Sequence, residues 1–558
     1  MTKLFLDPAE FSEDQLDGFV DLYSDRLTRV TGGVVTHPPK EPQVAVVVGG
    51  GSGHYPAFAG LVGPGFASGA VVGNIFTSPS AAHVYSVAKA ANQGKGVILT
   101  FGNYAGDNMN FGIAAKRLNA EGIDTRIVVV TDDVASASTP EDRRGIAGDF
   151  TVFKAMSAAA AAGKSLDEVE RIGRHANDMT RTMGVAFSGC TMPGATEPLF
   201  DVPQGKMGVG LGIHGEPGIK DETIGDAEEI ADLLVSHVLD AVPSDAASDR
   251  VAVILNGLGA TKYEELFLTY GKVAAKLRAA GLSIVEPEVG ELVTSLDMGG
   301  ISLTLMWLDD ELEAAWHAEA YACGYRKSHA PLETLDPTAV STATNEAEAE
   351  LTEPEGDAVS VAEQVRRGIG IVAQLMKDQE SHLGKIDAIA GDGDHGRGMV
   401  RGTSAAQNAV DKLVAKAGFT PSASDQLRTA GAAWALEAGG TSGVLWGAGL
   451  EAAAGTSTVA EGVAAFADTV QQLGGAQVGD KTLLDALIPF RDALGAGSSF
   501  SDAADVAVKA AEATSELVPR KGRAAPLAEK SVGHPDAGAI SFSMIAQRLA
   551  EEFTQEAN

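Results

Sequence analysis

Val46–Gly60 reads VVVGGGSGHYPAFAG. A β-branched apolar run emptying into three glycines, then Ser52, Gly53 and His54, predicts a buried strand ending in a glycine-rich loop. Such loops commonly cradle phosphates. This one has no lysine, and its chemically active side chain is a histidine, so its ligand stays open at this point. Outward from it, β-branched runs begin at Gly96 (GVILT), Ile127 (IVVV), Val251 (VAVIL) and Leu303 (LTLMWL), with Ala-rich helical patterns between several of them. Strands alternating with helices predict α/β layers with mostly parallel sheets. The long interval from Ile127 to Val251 predicts two subdomains within residues 1–332.

Residues 333–357, ETLDPTAVSTATNEAEAELTEPEGD, carry eight acidic residues, no basic ones and two prolines. Too little apolar area is available there to order the chain, which predicts a linker over 333–358. Past it the character changes. Val361, Val365, Ile369, Val372 and Met376 recur at helical spacing, and Ala-rich amphipathic segments follow. Residues 359–558 therefore read as an all-helical domain.

The bulk numbers narrow the function. Of 558 residues, 45% are apolar and 21% charged, as in an ordinary globular protein. A formal net charge of −33 argues against a nucleic-acid or anionic-membrane surface. Cys190 and Cys323 make no disulfide framework and have no metal-ligand spacing, so reduced thiols are expected. Acidic residues enter within the first ten positions and no apolar run is long enough to span a bilayer; a cytoplasmic protein is expected.

Two phosphate-loop look-alikes fail on context. Gly163-Lys164-Ser165 resembles the end of a Walker A loop, but Ala158 stands where its first glycine is needed. The Ala run before it predicts helix, Gly163 a helix stop, and Ser165 with Glu168 a capping box. Gly210-Leu-Gly212-Ile-His-Gly215 matches GxGxxG, but Glu216-Pro217-Gly218 follows it instead of a helix.

The segment DAIAGDGDHGRG from Asp387 brings Asp387, Asp392 and Asp394 into one glycine-rich turn. Three carboxylates held together repel unless a cation sits among them, and hard oxygen ligands suit Mg²⁺ or Ca²⁺. An EF-hand loop would need Glu at position 398, where Gly398 stands. A solvated acidic turn remains the bland alternative. Gly439-Gly440-Thr441-Ser442-Gly443 and His534-Pro535-Asp536-Ala537-Gly538-Ala539 offer further backbone donors, either as plain helix connections or, with the aspartates, as a cup for a metal–nucleotide. In the first domain, Asp107 closes FGNYAGD after the Gly96 strand, and His214 lies in GIHGEPG. One loop histidine is compatible with a surface role. Two histidines and an aspartate in three glycine-flanked loops point to a small polar ligand.

GGGSGH, NYAGDNMNFG, RRGIAG (143–148) and GIHGEPG resemble the DhaK domain of dihydroxyacetone kinases. GDGDHG, GGTSG, VGDKTLLDALIP (478–489) and GHPDAGA resemble the DhaL domain. The resemblance spans nearly the whole chain in the family's order. It implies the single-chain, ATP-dependent kinase, an α/β domain followed by an eight-helix barrel, and a homodimer. It implies that His214 captures a ketose as a covalent hemiaminal, which glycerol, lacking a carbonyl, cannot form. His54 and Asp107 would act as acid and base on a terminal hydroxyl, with Gly51, Ser52 and Gly53 binding the sugar. Asp387, Asp392 and Asp394 would bind two Mg²⁺ ions. Gly393, Asp394, His395, Gly396, Thr441, Ser442, Gly474, Thr482, Asp536, Ala537 and Gly538 would hold ATP.

Three positions depart from the family pattern: Tyr55 replaces a usual Glu, Phe58 a frequent His, and Gly102 a usual substrate-contacting Lys. A less charged, roomier pocket is expected, suited to the four-carbon ketose erythrulose as well as to dihydroxyacetone. The alternatives are a ketose-binding regulator without turnover and an added FAD-cyclising activity, which some family members possess.

Overall fold

The computed structural model describes residues 4–336, 351–389, 391–521 and 531–554. The chain divides into two units, Met1–Ser341 and Thr342–Asn558. Most of the acidic segment expected to be a linker, residues 337–350, lies outside the described residues.

The first unit is built on two six-stranded sheets. One contains β1 (Leu27–Val30), β2 (Gly33–Thr36), β3 (Ala45–Ser52), β4 (Gly69–Ile75), β5 (Val97–Gly102) and β6 (Thr125–Val130), in the order β1-β2-β4-β3-β5-β6. Its β4-β3-β5-β6 portion is parallel. Strands buried on both faces need continuous apolar runs, and Ala45–Val48 and Val97–Phe101 supply them. The other sheet runs β11-β10-β12-β7-β8-β9, from β7 (Thr180–Ala186), β8 (Lys206–Val209), β9 (Lys220–Thr223), β10 (Arg250–Gly257), β11 (Ser283–Gly290) and β12 (Gly300–Trp307). Only β10 and β11 are parallel there; the other four pairings are antiparallel. The expectation of mostly parallel sheets thus holds for the first sheet, three of whose five pairings are parallel, and fails for the other. After β11 the chain returns without a helical crossover, so β12 enters beside β10 in the opposite direction.

A second correction concerns the opening stretch. Gly49–Ser52 is strand, not loop: the glycines continue β3 and pair with Val71, Val72 and Gly73 of β4. A Cβ on Gly51 would lie 2.6 Å from the Thr77 amide nitrogen, and one on Gly50 2.8 Å from the Phe58 ring. Glycine is required here by the close approach of the Phe58 ring and of the backbone after β4, and the chain turns only at Gly53, where φ is +104°.

The helices of this unit are α1 (Phe11–Leu22), α2 (Ala81–Ala91), α3 (Ala105–Ala120), α4 (Gly148–Ala161), α5 (Leu166–Asp178), α6 (Ala227–Leu239), α7 (Tyr263–Ala279) and α8 (Asp310–His317). Helix α4 packs against strands of both sheets, which is why GDFTVFKAMSAAAA is apolar and small all round and buried from Gly148 to Ala160. The Walker A look-alike is its far end: Gly163 has φ +75° and Ser165 caps α5 with Glu168 in a capping box.

The second unit is helical throughout its described residues: α9 (Asp357–Asp387), α10 (His395–Ala417), α11 (Ala423–Ala438), α12 (Gly440–Ala453), α13 (Val459–Gly474), α14 (Leu484–Gly495), α15 (Phe500–Ala513) and α16 (Ala537–Thr554). Each helix packs on the next, and α16 packs back on α9, so the eight close a ring. Its core includes Met376, Met399, Phe490 and the stacked indoles of Trp434 and Trp446, whose centroids are 4.9 Å apart.

Candidate active site

A cavity of about 490 Å³ opens at the C-terminal ends of β3 and β5, where parallel α/β sheets generally bind ligands. His54, Asp107 and His214 all line it, brought from three separate segments. Asp107 sits in the first turn of α3, His54 just past β3, and His214 in the loop between β8 and β9.

Hydrogen bonding fixes the two imidazoles. His54 Nδ1 lies 2.7 Å from the Thr294 carbonyl oxygen, which can only accept, so Nδ1 carries the proton and Nε2 a lone pair. His214 Nδ1 lies 2.9 Å from Glu216 Oε1. Burial opposes ionisation of Glu216, but the hydrogen bond and charge of His214, with the backbone amides, outweigh it and bring its pKa to about 2. A carboxylate there makes His214 Nδ1 the donor. The two Nε2 atoms face each other at 3.1 Å. His54 Nε2, which carries no proton, is the acceptor of that contact.

The walls set the protonation states. Burial, with the nearby His214, depresses His54 to about 3, so it stays neutral near pH 7. Burial raises Asp107 to about 6 despite the 2.8 Å hydrogen bond from Ser78. Phe76 stacks on His54 at 5.1 Å, and Phe76 and Tyr104 each meet the His214 ring edge-on at 5.0 Å. Arg144 is held by Asp133 at 2.9 Å and lies 3.8 Å from Glu216.

Not every residue expected at this cavity lines it. Gly51 does, whereas the Ser52 hydroxyl bonds Ser12 at 2.7 Å and the Gly53 carbonyl accepts from the Leu296 amide at 2.8 Å. Phe58 and Gly102 line the cavity. Tyr55 does not: its ring is 52% exposed and meets Phe19. A side chain at Gly102 would begin 3.2 Å from the Tyr104 ring and 3.0 Å from the Gly145 carbonyl, so the space expected there is taken by Tyr104 and by backbone. Glu216, Tyr104 and Asp149 were missed as lining residues. Glu216 was legible in principle, two residues from His214 in the same glycine-rich loop.

In the second unit a cavity of about 670 Å³ gathers the other candidates. Asp387 ends α9 and Asp394 caps the start of α10; with Asp392 their carboxylates offer oxygens within 4.8 Å of one another. Three clustered carboxylates fit a hard divalent ion such as Mg²⁺. His395 Nε2 bonds Ser541 Oγ of α16 at 3.0 Å. Thr441 and Ser442 lie in the first turn of α12, entered through Gly439 and Gly440 at φ +64° and +60°. Thr482, Gly474 and Asp536–Gly538 line the same cavity. Burial lifts Asp536 to about 6. Gly393 borders an adjoining pocket, and Gly396 packs on the Glu380 backbone of α9, away from the main cavity. Lys481, with φ +61° and its ammonium on the Ser531 carbonyl at 2.7 Å, also lines the cavity and carried no sequence signal beyond its place in VGDKTLLDALIP.

Comparison with known proteins agrees with this division. Residues 17–324 match the Dak1 domain family and residues 389–551 the DAK2 domain family. The chain is 53% identical to a D-erythrulose kinase of Mycolicibacterium smegmatis, over 99% of this chain and 98% of that protein. It is 51% identical to an L-erythrulose 1-kinase of the same organism over the full length of both. The dihydroxyacetone kinase of C. freundii, solved with AMP-PNP and Mg²⁺, superposes with a TM-score of 0.61 at 28% identity, covering 99% of each chain. Together the matches over both units define a two-domain ketose kinase. The chain belongs to the dihydroxyacetone kinase family, in its single-chain, ATP-dependent form.

Proposed function

We infer that the protein transfers the γ-phosphoryl group of ATP to a terminal hydroxyl of erythrulose held as a hemiaminal on His214. The observation that carries this reading is His214 itself, held through Nδ1 by Glu216 with its Nε2 pointed into the cavity at His54. An imidazole so held is set to add to an electrophilic carbon. Nε2 forms the C–N bond, the carbonyl π electrons pass to oxygen, the oxygen takes up a proton, and the Nδ1 proton is drawn off through Glu216. Selection then rests on possession of a carbonyl, which excludes glycerol.

Asp107, as carboxylate, accepts the proton of the attacking hydroxyl, and the neutral His54 ring offers its Nε2 as a second acceptor. In the helical unit Asp387, Asp392 and Asp394 would hold Mg²⁺, two ions by family resemblance; when bound, the metal neutralises phosphate oxygens and favours in-line transfer. Thr441, Ser442 and Gly538 would contribute backbone amides to the phosphates. The helix ring is taken as the family's eight-helix barrel.

The choice of a tetrulose draws on the erythrulose kinases among the relatives and on the uncharged Phe58 and Gly102 in the cavity wall. The test is Mg-ATP-dependent ADP release with D-erythrulose, L-erythrulose, dihydroxyacetone and glycerol. The highest kcat/KM is expected for one erythrulose enantiomer, with none for glycerol. Highest kcat/KM for dihydroxyacetone would make the protein a triose kinase. No ADP from any ketose would leave a ketose-binding regulator.

A further inference from the structure

Most polar groups around the ketose cavity are already partnered: His54 by Thr294, His214 by Glu216, Asp107 by Ser78. Two are not. Asp149 Oδ1 and Tyr104 Oη are buried and have no hydrogen-bond partner among the described residues, yet both side chains line this cavity. Asp149 is 4% exposed. A buried polar atom left unpaired is costly, and natural structures rarely keep one without a role.

Their placement is built into the fold. Asp149 stands in the first turn of α4, the helix between the two sheets, and Tyr104 precedes α3. The end of β5 touches the 143–148 segment because Gly102 and Gly145 both lack a Cβ: one on Gly145 would strike the Gly102 Cα, and one on Gly102 would crowd the Tyr104 ring. This double glycine contact lets the segments carrying the two orphans close on the same cavity.

We propose that Asp149 and Tyr104 form a subsite for the hydroxyls on the ketose arm remote from the phosphorylated end, and that this subsite sets the preference for a tetrulose. The inference rests on the reading of the cavity as a ketose site. With the carbonyl carbon at His214 and one terminal hydroxyl at Asp107, the other arm of dihydroxyacetone carries one hydroxyl. That of erythrulose carries two, on adjacent carbons, the first a stereocentre. Two fixed hydrogen-bonding groups match two hydroxyls and sense their handedness. Burial, reinforced by Asp132 and Asp107, holds the Asp149 pKa well above the usual carboxylate range, so it meets the sugar as a neutral acid that both donates and accepts. Burial likewise keeps Tyr104 protonated.

The experiment measures kcat/KM of the full-length protein for D-erythrulose, L-erythrulose and dihydroxyacetone in Asp149→Ala, Asp149→Asn and Tyr104→Phe. The erythrulose-to-dihydroxyacetone ratio is expected to fall about tenfold to a hundredfold in Asp149→Ala and Tyr104→Phe. Asp149→Asn, a neutral donor and acceptor of the same shape, is expected to keep most of it. A ratio unchanged in both Asp149→Ala and Tyr104→Phe overturns the proposal, as does an Asp149→Asn effect equal to that of Asp149→Ala. If Asp149→Ala does not fold, Tyr104→Phe and Asp149→Asn decide alone. Absence of turnover of any ketose by the wild type would instead remove the underlying reading.

Discussion

The two cavities solve recognition in opposite ways. The ketose cavity is walled by buried side chains whose protonation is set by their surroundings: His54 near 3, Asp107 near 6, Glu216 near 2. The cavity of the helical unit relies on partly exposed carboxylates, helix-start amides and glycines in left-handed backbone. On the proposed reading the first site bonds to its ligand and needs proton positions fixed in advance, which low-dielectric burial supplies. A site that holds polyphosphate needs donors and hard oxygen ligands, which exposed turns supply without burial.

The sharpest break of the comparison uses His214→Asn. Ketose turnover should fall about a thousandfold or more, and the tetrahedral carbon signal from carbonyl-¹³C ketose should vanish, with nucleotide binding by calorimetry unchanged. Asp392→Asn should do the reverse, lowering turnover about a hundredfold or more and keeping the ¹³C adduct. Loss of the ¹³C adduct and of nucleotide binding together in either variant would mean the two cavities are not separable. Glu216→Gln should lower adduct yield and kcat/KM together, by about a hundredfold, because the amide no longer fixes the His214 proton. Wild-type kcat/KM should fall about tenfold per pH unit below pH 6, as Asp107 takes up a proton. His54 is already neutral there and adds nothing to this limb; a steeper fall would point to a second group, such as Asp536 of the other cavity, which burial also lifts to about 6. The smallest effect is expected for Gly440→Ala. A side chain at φ +60° costs about 1–2 kcal/mol, read as a lower midpoint of urea unfolding, with a less than tenfold rise in the KM for ATP.

How legible each cavity was follows from the same contrast. Asp387, Asp392 and Asp394 fall within eight residues, and Thr441 and Ser442 follow their glycines directly, so local sequence carried most of that site. His54, Asp107 and His214 were marked by flanking glycines, but what makes them reactive was not. Thr294, 240 residues from His54, fixes its tautomer. Asp149 reads as an ordinary helix-start acid until α4 is seen between two sheets. The β-branched runs at Val46, Gly96, Ile127, Val251 and Leu303 all became strands, and the periodicity from Val361 became α9. The direction of β12 was beyond reach, because a buried run has the same pattern whichever way it runs. Gly49–Gly51 misled because glycine, weighed residue by residue, signals a turn, while here it answers to neighbours farther along the chain: Val71, Phe58 and Thr77.

The closure of α16 onto α9 has a consequence for truncation. The helix that completes the ring and bonds His395 through Ser541 is, of the eight, the one farthest along the chain from α9. A chain cut before α16 would therefore leave the ring open and deprive His395 of the Ser541 hydroxyl.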